Sequence, residues 1–178
     1  GLFVDKEEVG SMGNTGMQSD FFENVVAELL NVQGITSYLG LRRALSNSKV
    51  LSGDVTPGFD PNFPDVLDKR NSAFIGKRVT LTKYTGSKGK SGSNDANSEF
   101  LAEVRNIFNS GDVTWQVGEL GKVDQGGGGT IAYILANKGA EVVDCGTPML
   151  SMHAPIELIS KVDLYMTYKA YKAFYNAE

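Results

Sequence analysis

Residues 126–145 read Gly-Gly-Gly-Gly-Thr-Ile-Ala-Tyr-Ile-Leu-Ala-Asn-Lys-Gly-Ala-Glu-Val-Val-Asp-Cys. The spacing predicts a glycine run over 126–129, a helix over Thr130–Lys138 and a strand over Glu141–Cys145. Downstream, Pro155–Tyr175 is predicted as one long amphipathic helix. Pro155 falls near its first turn, where a missing N–H does no harm, and Leu158, Val162, Tyr165 and Met166 are assigned to the core. Upstream, a helix over Asn97–Phe108 precedes a strand over Val113–Val117. This alternation implies an α/β fold: a mixed or mostly parallel sheet with helices on both faces.

Further upstream, helices are predicted over Gln18–Leu30 and Tyr38–Leu45, and strands over Leu2–Val4, Lys49–Leu51 and Arg78–Tyr84. The stretch from Asp54 to Ala73 carries Pro57, Pro61 and Pro64 and has few periodic apolar residues, so it reads as a long functional loop. Gly86–Asn94 reads as a Gly/Ser/Lys loop. The opening Gly1-Leu2-Phe3-Val4 looks like a buried strand with no initiator Met, and the expectation is that an upstream segment belongs to the protein.

The chain has 178 residues, enough for one α/β domain. Its net charge is -4, and the densest basic stretch, Lys83 to Lys90, holds three lysines. That argues against nucleic-acid binding, which needs clustered cations. No apolar run is long enough to cross a membrane, and no secretory signal is evident, so the default compartment is the cytoplasm. The single cysteine, Cys145, gives no disulfide framework and no thiolate zinc finger. It is expected to pack at a strand end.

Several residues could carry chemistry. Asp5-Lys6-Glu7-Glu8 follows a predicted strand, where α/β sheets bind ligands. Adjacent carboxylates point different ways, so one can hold a metal while the other takes a proton from water; a solvated acidic loop is the plainer reading. Asp54 follows another predicted strand end, and a turn aspartate is its plainer reading. His153, the only histidine, is a natural zinc ligand or a hydrogen-bonded residue at a helix start. Gly126–Gly129 could offer amides to an anion, but no Gly-Lys-Ser/Thr completes a P-loop. Lys88 and Lys90 could meet an anionic group or simply face solvent. Gly-x-Ser-x-Gly is absent, which argues against a serine hydrolase.

The order of these segments is more telling than any one of them. Glu7-Glu8-Val9-Gly10-Ser11, Ser52-Gly53-Asp54-Val55 leading to Asp60-Pro61-Asn62-Phe63, Gly127-Gly128-Gly129-Thr130-Ile131 and Leu150-Ser151-Met152-His153 together resemble the aspartyl aminopeptidase family of metallopeptidases. The resemblance covers nearly the whole chain. It implies the three-layer α/β/α sandwich of zinc exopeptidases and removal of an N-terminal residue, acidic or neutral, from a peptide substrate. It implies a two-zinc site, and cobalt and manganese suit the same ligands. Glu7 matches the family's general base. Glu8, Asp54 and His153 match metal ligands. Lys88, Gly128, Gly129 and Thr130 match substrate-binding positions. The family also forms closed homo-oligomers, a dodecamer among them.

The resemblance further implies that residues 1–178 are the C-terminal portion of a catalytic domain. The family's His-x-Asp motif, its metal-bridging Asp and its inserted dimerisation domain would lie upstream. Glu8 and His153 alone are too few for tight zinc binding, so this chain by itself is expected to bind zinc weakly and to show little peptidase activity. Two other readings stand beside this one. One is a non-catalytic assembly module, with Phe59, Phe63 and Phe74 as an interface. The other is a phosphate-binding domain using Gly126–Gly129.

Overall fold

The computed structural model describes residues 1–88, 90–122 and 124–177. In chain order it holds helices α1 (Phe21–Val32) and α2 (Tyr38–Ser46), strands β1 (Lys49–Pro57), β2 (Val79–Thr82), β3 (Tyr84–Ser87) and β4 (Ser91–Asp95), helix α3 (Ser98–Ser110), strand β5 (Trp115–Val117), helix α4 (Ala132–Ala136), strands β6 (Glu141–Leu150) and β7 (Leu158–Ile159), and helix α5 (Lys161–Tyr175).

Strand β6 organises the sheet, because residues 142–149 are buried on both its faces, as in a strand covered on each side. Among the described residues the sheet order is β1-β6-β2-β5, with β7 also paired to β6. β1 runs parallel to β6 from Lys49↔Glu141 to Pro57↔Met149. β2 is antiparallel to β6 and parallel to β5. The sheet is therefore mixed. Alternate residues of β6 serve two cores. Val143 and Cys145 pack with Phe100, Val104 and Phe108 of α3 and with Ala170 of α5. Val142 packs on the other face with Ala132, Ile134 and Leu135 of α4 and with Met17. This is the expected layer of helices on each side of a sheet.

The α3 stripe Phe100, Val104, Phe108 recurs every fourth residue, so one helix face enters the core. Full burial of each such side chain contributes about 1.5–3 kcal/mol. Asn97 caps the helix by accepting from the Glu99 amide. Helix α5 is tied in by polar groups as well. Asp163, fully buried, accepts from the amides of Gly76 (2.6 Å) and Arg78 (2.8 Å). The Tyr171 hydroxyl donates to the Cys145 carbonyl at 3.0 Å.

Several expectations need correction. Leu2–Val4 forms no strand: it finds no ladder partner among the described residues, and Phe3 is 99% exposed. The predicted Pro155 helix begins only at Lys161. The segment before it folds back as β7 onto β6, so Leu158 is exposed. Val162 and Tyr165 also face solvent, and the buried face of α5 is Asp163, Thr167 and Ala170, with Met166 packed beside the core. The predicted Gly86–Asn94 loop is largely the β3–β4 hairpin, and Gly89 within it lies outside the described residues. The Thr130–Lys138 helix shrinks to the five residues of α4. Phe59 and Phe74 do not form an exposed interface. Their rings lie 5.5 Å apart and are half-buried, and of the three aromatics only Phe63 is exposed.

Candidate metal centre

The cavity at the carboxyl end of the parallel β1–β6 pair gathers most of the predicted site. It measures about 790 Å³, and Glu7, Glu8, Asp54, Gly128, Gly129, Thr130 and His153 all line it. They arrive on four separate segments of the chain.

Glu7 and Glu8 sit in a 3-10 turn, Glu7–Val9, rather than on an extended chain. Lys6 and Gly10, both left-handed, bracket the turn (φ 62° and 83°), and the Gly10 amide donates to the Glu7 carbonyl. Successive residues of so tight a turn still diverge, and Glu7 is half-buried while Glu8 is exposed. The expected difference in surroundings survives the change of backbone.

Asp54 lies inside β1, not after its end, because β1 continues to Pro57. Its partner on β6 is Gly146. A Cβ at Gly146 would lie 1.9 Å from the Asp54 carbonyl oxygen, so the strands approach this closely only with glycine there. Asp54 Oδ1 accepts from the Val55 amide at 2.7 Å.

His153 stands in the turn between β6 and β7 rather than at a helix start. Its φ of 66° is left-handed, and its amide donates to Glu157 Oε1 at 2.7 Å. The imidazole Nε2 lies 3.3 Å from Glu8 Oε2, and both side chains are well exposed.

Electrostatics couples the group. Burial raises the Glu7 carboxyl above its ordinary range, and the Asp54 and Glu8 charges raise it further, with His153 opposing them. Burial also raises Asp54, against a backbone hydrogen bond from Val55 that lowers it; Glu8 adds to the rise. Acidic groups thus crowd one side of an open cavity, where each raises its neighbour and a cation would relieve them.

The glycine run is held differently from the sequence expectation. Its carbonyls are taken up by the hairpin: Gly86 N–H donates to Gly128 O at 2.9 Å, and Lys88 N–H to Gly126 O at 2.7 Å. The run therefore lies along β3 as a wall and does not open a helix. A Cβ at Gly127 (φ 89°) would meet the Gly86 carbonyl at 2.4 Å, so this wall needs glycine. Lys88 is exposed at the hairpin tip and is not among the residues that line the cavity.

Sequence reasoning missed one group. Asp144 is buried in the middle of β6, beneath the cavity. A carboxylate in a strand otherwise read as apolar, Glu141-Val-Val-Asp-Cys145, was the available signal.

The donor chemistry suits zinc as far as it goes. An imidazole and a carboxylate, both zinc-binding groups, stand 3.3 Å apart, while zinc takes about three or four protein ligands. Among the described residues no group of three or more His, Cys, Asp or Glu side chains is close enough to hold one ion.

An acidic, histidine-bearing cavity at the carboxyl edge of an α/β sheet is the kind of place where metal-assisted hydrolases work. The comparisons with known proteins narrow it. The model of the aminopeptidase I zinc metalloproteases (M18) matches residues 2–175, and the chain belongs to this family. A probable M18 family aminopeptidase 1 of Clostridium acetobutylicum is 59% identical over 175 residues, covering 98% of this chain and 38% of the relative. The crystal structure of the aminopeptidase I of that organism superposes with a TM-score of 0.86, covering 98% of this chain and 37% of that one. An M18 aminopeptidase structure from Thermotoga maritima, 48% identical, gives 0.91 over 96% of this chain and 38% of that one. At 24% identity, the mApe1 dodecamer of S. cerevesiae shares the fold (TM-score 0.73, 97% of this chain and 36% of that one). The chain spans somewhat more than a third of the length of the curated relatives it matches.

Proposed function

We propose that this chain supplies the general base, three metal ligands and one substrate wall of a two-zinc aminopeptidase, and that other parts of the whole protein supply the remaining ligands. The observation that carries this reading is the convergence of Glu7, Glu8, Asp54 and His153 on one cavity, with Glu8 and His153 in contact at 3.3 Å.

In the reaction, zinc when bound polarises the scissile carbonyl and makes water a better nucleophile at neutral pH. Glu8 and His153 would hold one ion, and Asp54 would contribute to the other. Glu7, half-buried and raised in pKa by burial and by its carboxylate neighbours, takes the proton from the attacking water and delivers it to the leaving amine. The wall formed by Gly128, Gly129 and Thr130 supports the peptide. The substrate's N-terminal residue is acidic or neutral, and the whole protein assembles into a closed homo-oligomer, as its yeast relative does.

The lack of a three-ligand group among the described residues supports a companion reading: the chain alone binds zinc weakly and is inactive, acting as a folded module completed by the rest of the protein. One experiment tests both. Purified whole protein and the isolated chain are titrated with zinc and assayed on aspartyl- and leucyl-p-nitroanilide. The expected result is tight zinc and turnover in the whole protein, and weak zinc without turnover in the chain. Two tight sites in the isolated chain would falsify the companion reading. Absence of turnover by the zinc-loaded whole protein on every aminoacyl substrate would end the first.

A further inference from the structure

Asp144 has no part in the chemistry described so far. It is 5% exposed, yet its carboxylate is not solitary. It accepts from Thr130 Oγ1 at 2.7 Å, from Ser52, and from Thr85 Oγ1 at the 3.5 Å limit of hydrogen bonding. Ser52 and Thr82 lie directly opposite Asp144 on the two neighbouring strands, so the three form one polar row across the sheet. Stability alone does not require a carboxylate there. Well-packed apolar residues of similar size serve a sheet at least as well as a buried charge.

Each segment that Asp144 grips leads to the cavity. Ser52 precedes Asp54 by one turn of the strand alternation, on the same face. Thr85 belongs to the hairpin whose Gly86 and Lys88 amides hold the Gly128 and Gly126 carbonyls. Thr130 ends the glycine run, lines the cavity, and accepts from the Ala132 amide through the same Oγ1 that bonds Asp144. A run of four glycines has little stiffness of its own, so its shape is imposed by what holds its ends. The hairpin holds one side of the run, and Asp144 holds Thr130 and touches the hairpin.

The geometry points to Asp144 as a positioning residue that sets the shape of the Gly126–Thr130 wall, acting on a bound peptide through Thr130. The effect on peptide binding rests on the aminopeptidase reading; the clamp on the wall does not.

Two variants of the whole, zinc-loaded protein test this: Asp144→Asn and Thr130→Val, with amide hydrogen exchange over 126–130, zinc content and steady-state kinetics on an aminoacyl p-nitroanilide. The expected result is faster exchange over the glycine run in both variants. KM rises about tenfold, the size of one lost charge-assisted hydrogen bond, while kcat stays within about threefold and zinc content is unchanged. The effects combine less than multiplicatively in the double variant, because Asp144→Asn strips the charge from the bond that Thr130→Val removes. Thr130→Ser, which keeps the hydroxyl, recovers most of the KM lost in Thr130→Val. Unchanged exchange in both variants overturns the clamp. Faster exchange with an unaltered KM, or multiplicative effects in the double variant, overturns its role in substrate positioning. If the unmodified protein turns over no peptide, the aminopeptidase reading and the KM effect fall together, and the exchange data still decide the clamp.

Discussion

The imidazole Nε2 of His153 lies 3.3 Å from Oε2 of Glu8, although one residue leaves the end of β6 and the other sits in a turn near the start of the chain. No local rule brings them together. The pair exists because β6 carries His153 to the cavity edge where the Glu7–Val9 turn is docked.

If that pair holds an ion, removing either member weakens metal binding before anything else. In the whole protein, Glu8→Ala or His153→Ala is expected to lower zinc affinity at least tenfold and to lose activity in proportion. Metal analysis after gel filtration, with circular dichroism as the check on folding, decides it. Full zinc occupancy in both variants would remove these residues from the ligand set.

Glu7 separates from the ligands by the opposite pattern. Glu7→Gln keeps the size and loses the basic oxygen, so kcat is expected to fall by roughly 10²–10⁴ with zinc content intact. A variant that keeps its turnover would take the proton-transfer role away from Glu7.

Asp144 predicts a pH signature in stability. Burial pushes its carboxyl up from 3.8 to about 6, against hydrogen bonds from Thr130, Ser52 and Thr85 that lower it, and with the Asp54 charge adding to the rise. The folded state therefore binds this proton more tightly than the unfolded state does. Its contribution is fully present below about pH 4 and is lost as pH rises through about 6, amounting to roughly 2–3 kcal/mol. Asp144→Asn removes this dependence. The melting temperature of the variant should gain on that of the unmodified protein between pH 4 and pH 7, to an extent of about 2–4 °C per kcal/mol. Parallel curves across that range would show that the carboxyl is not raised.

At the strand contact beneath Asp54, Gly146→Ala should be severe. The new methyl would press on the Asp54 carbonyl, which lies 1.9 Å from the required position, and β1 would have to move. Overpacking of this kind destabilises by about 1–3 kcal/mol or more, read as a fall in melting temperature. Because Asp54 rides on the displaced strand, zinc affinity should fall in the same variant. A folded, zinc-replete Gly146→Ala protein would show that the strands have room to spare.

Much of the fold was legible because its signals are local. The four-residue stripe of Phe100, Val104 and Phe108 and the apolar start of β6 give helix and strand directly from spacing. The failures have non-local causes. Pro155–Ser160 has a helical look, but β6 offers an open edge that takes Leu158–Ile159 as β7. The polar Gly86–Asn94 stretch pairs as a hairpin because the glycine run lies alongside it. For the site, the order of short motifs pointed to Glu7, Glu8, Asp54, His153 and the Gly128–Thr130 wall, and these do meet at one cavity. Lys88 was placed by sequence position alone and sits at an exposed tip. Asp144 stayed hidden because its meaning depends on three hydroxyls from three separate segments, which only the folded sheet brings into reach.

Asp163 takes the amides of Gly76 and Arg78 from 87 and 85 residues further along the chain. During synthesis, therefore, the bend that feeds β2 into the sheet stays unsealed until the α5 segment has left the ribosome. A nascent chain stalled before that point would carry β1 and its neighbours with an unfinished edge, and would depend on chaperones to keep that edge from pairing with other strands.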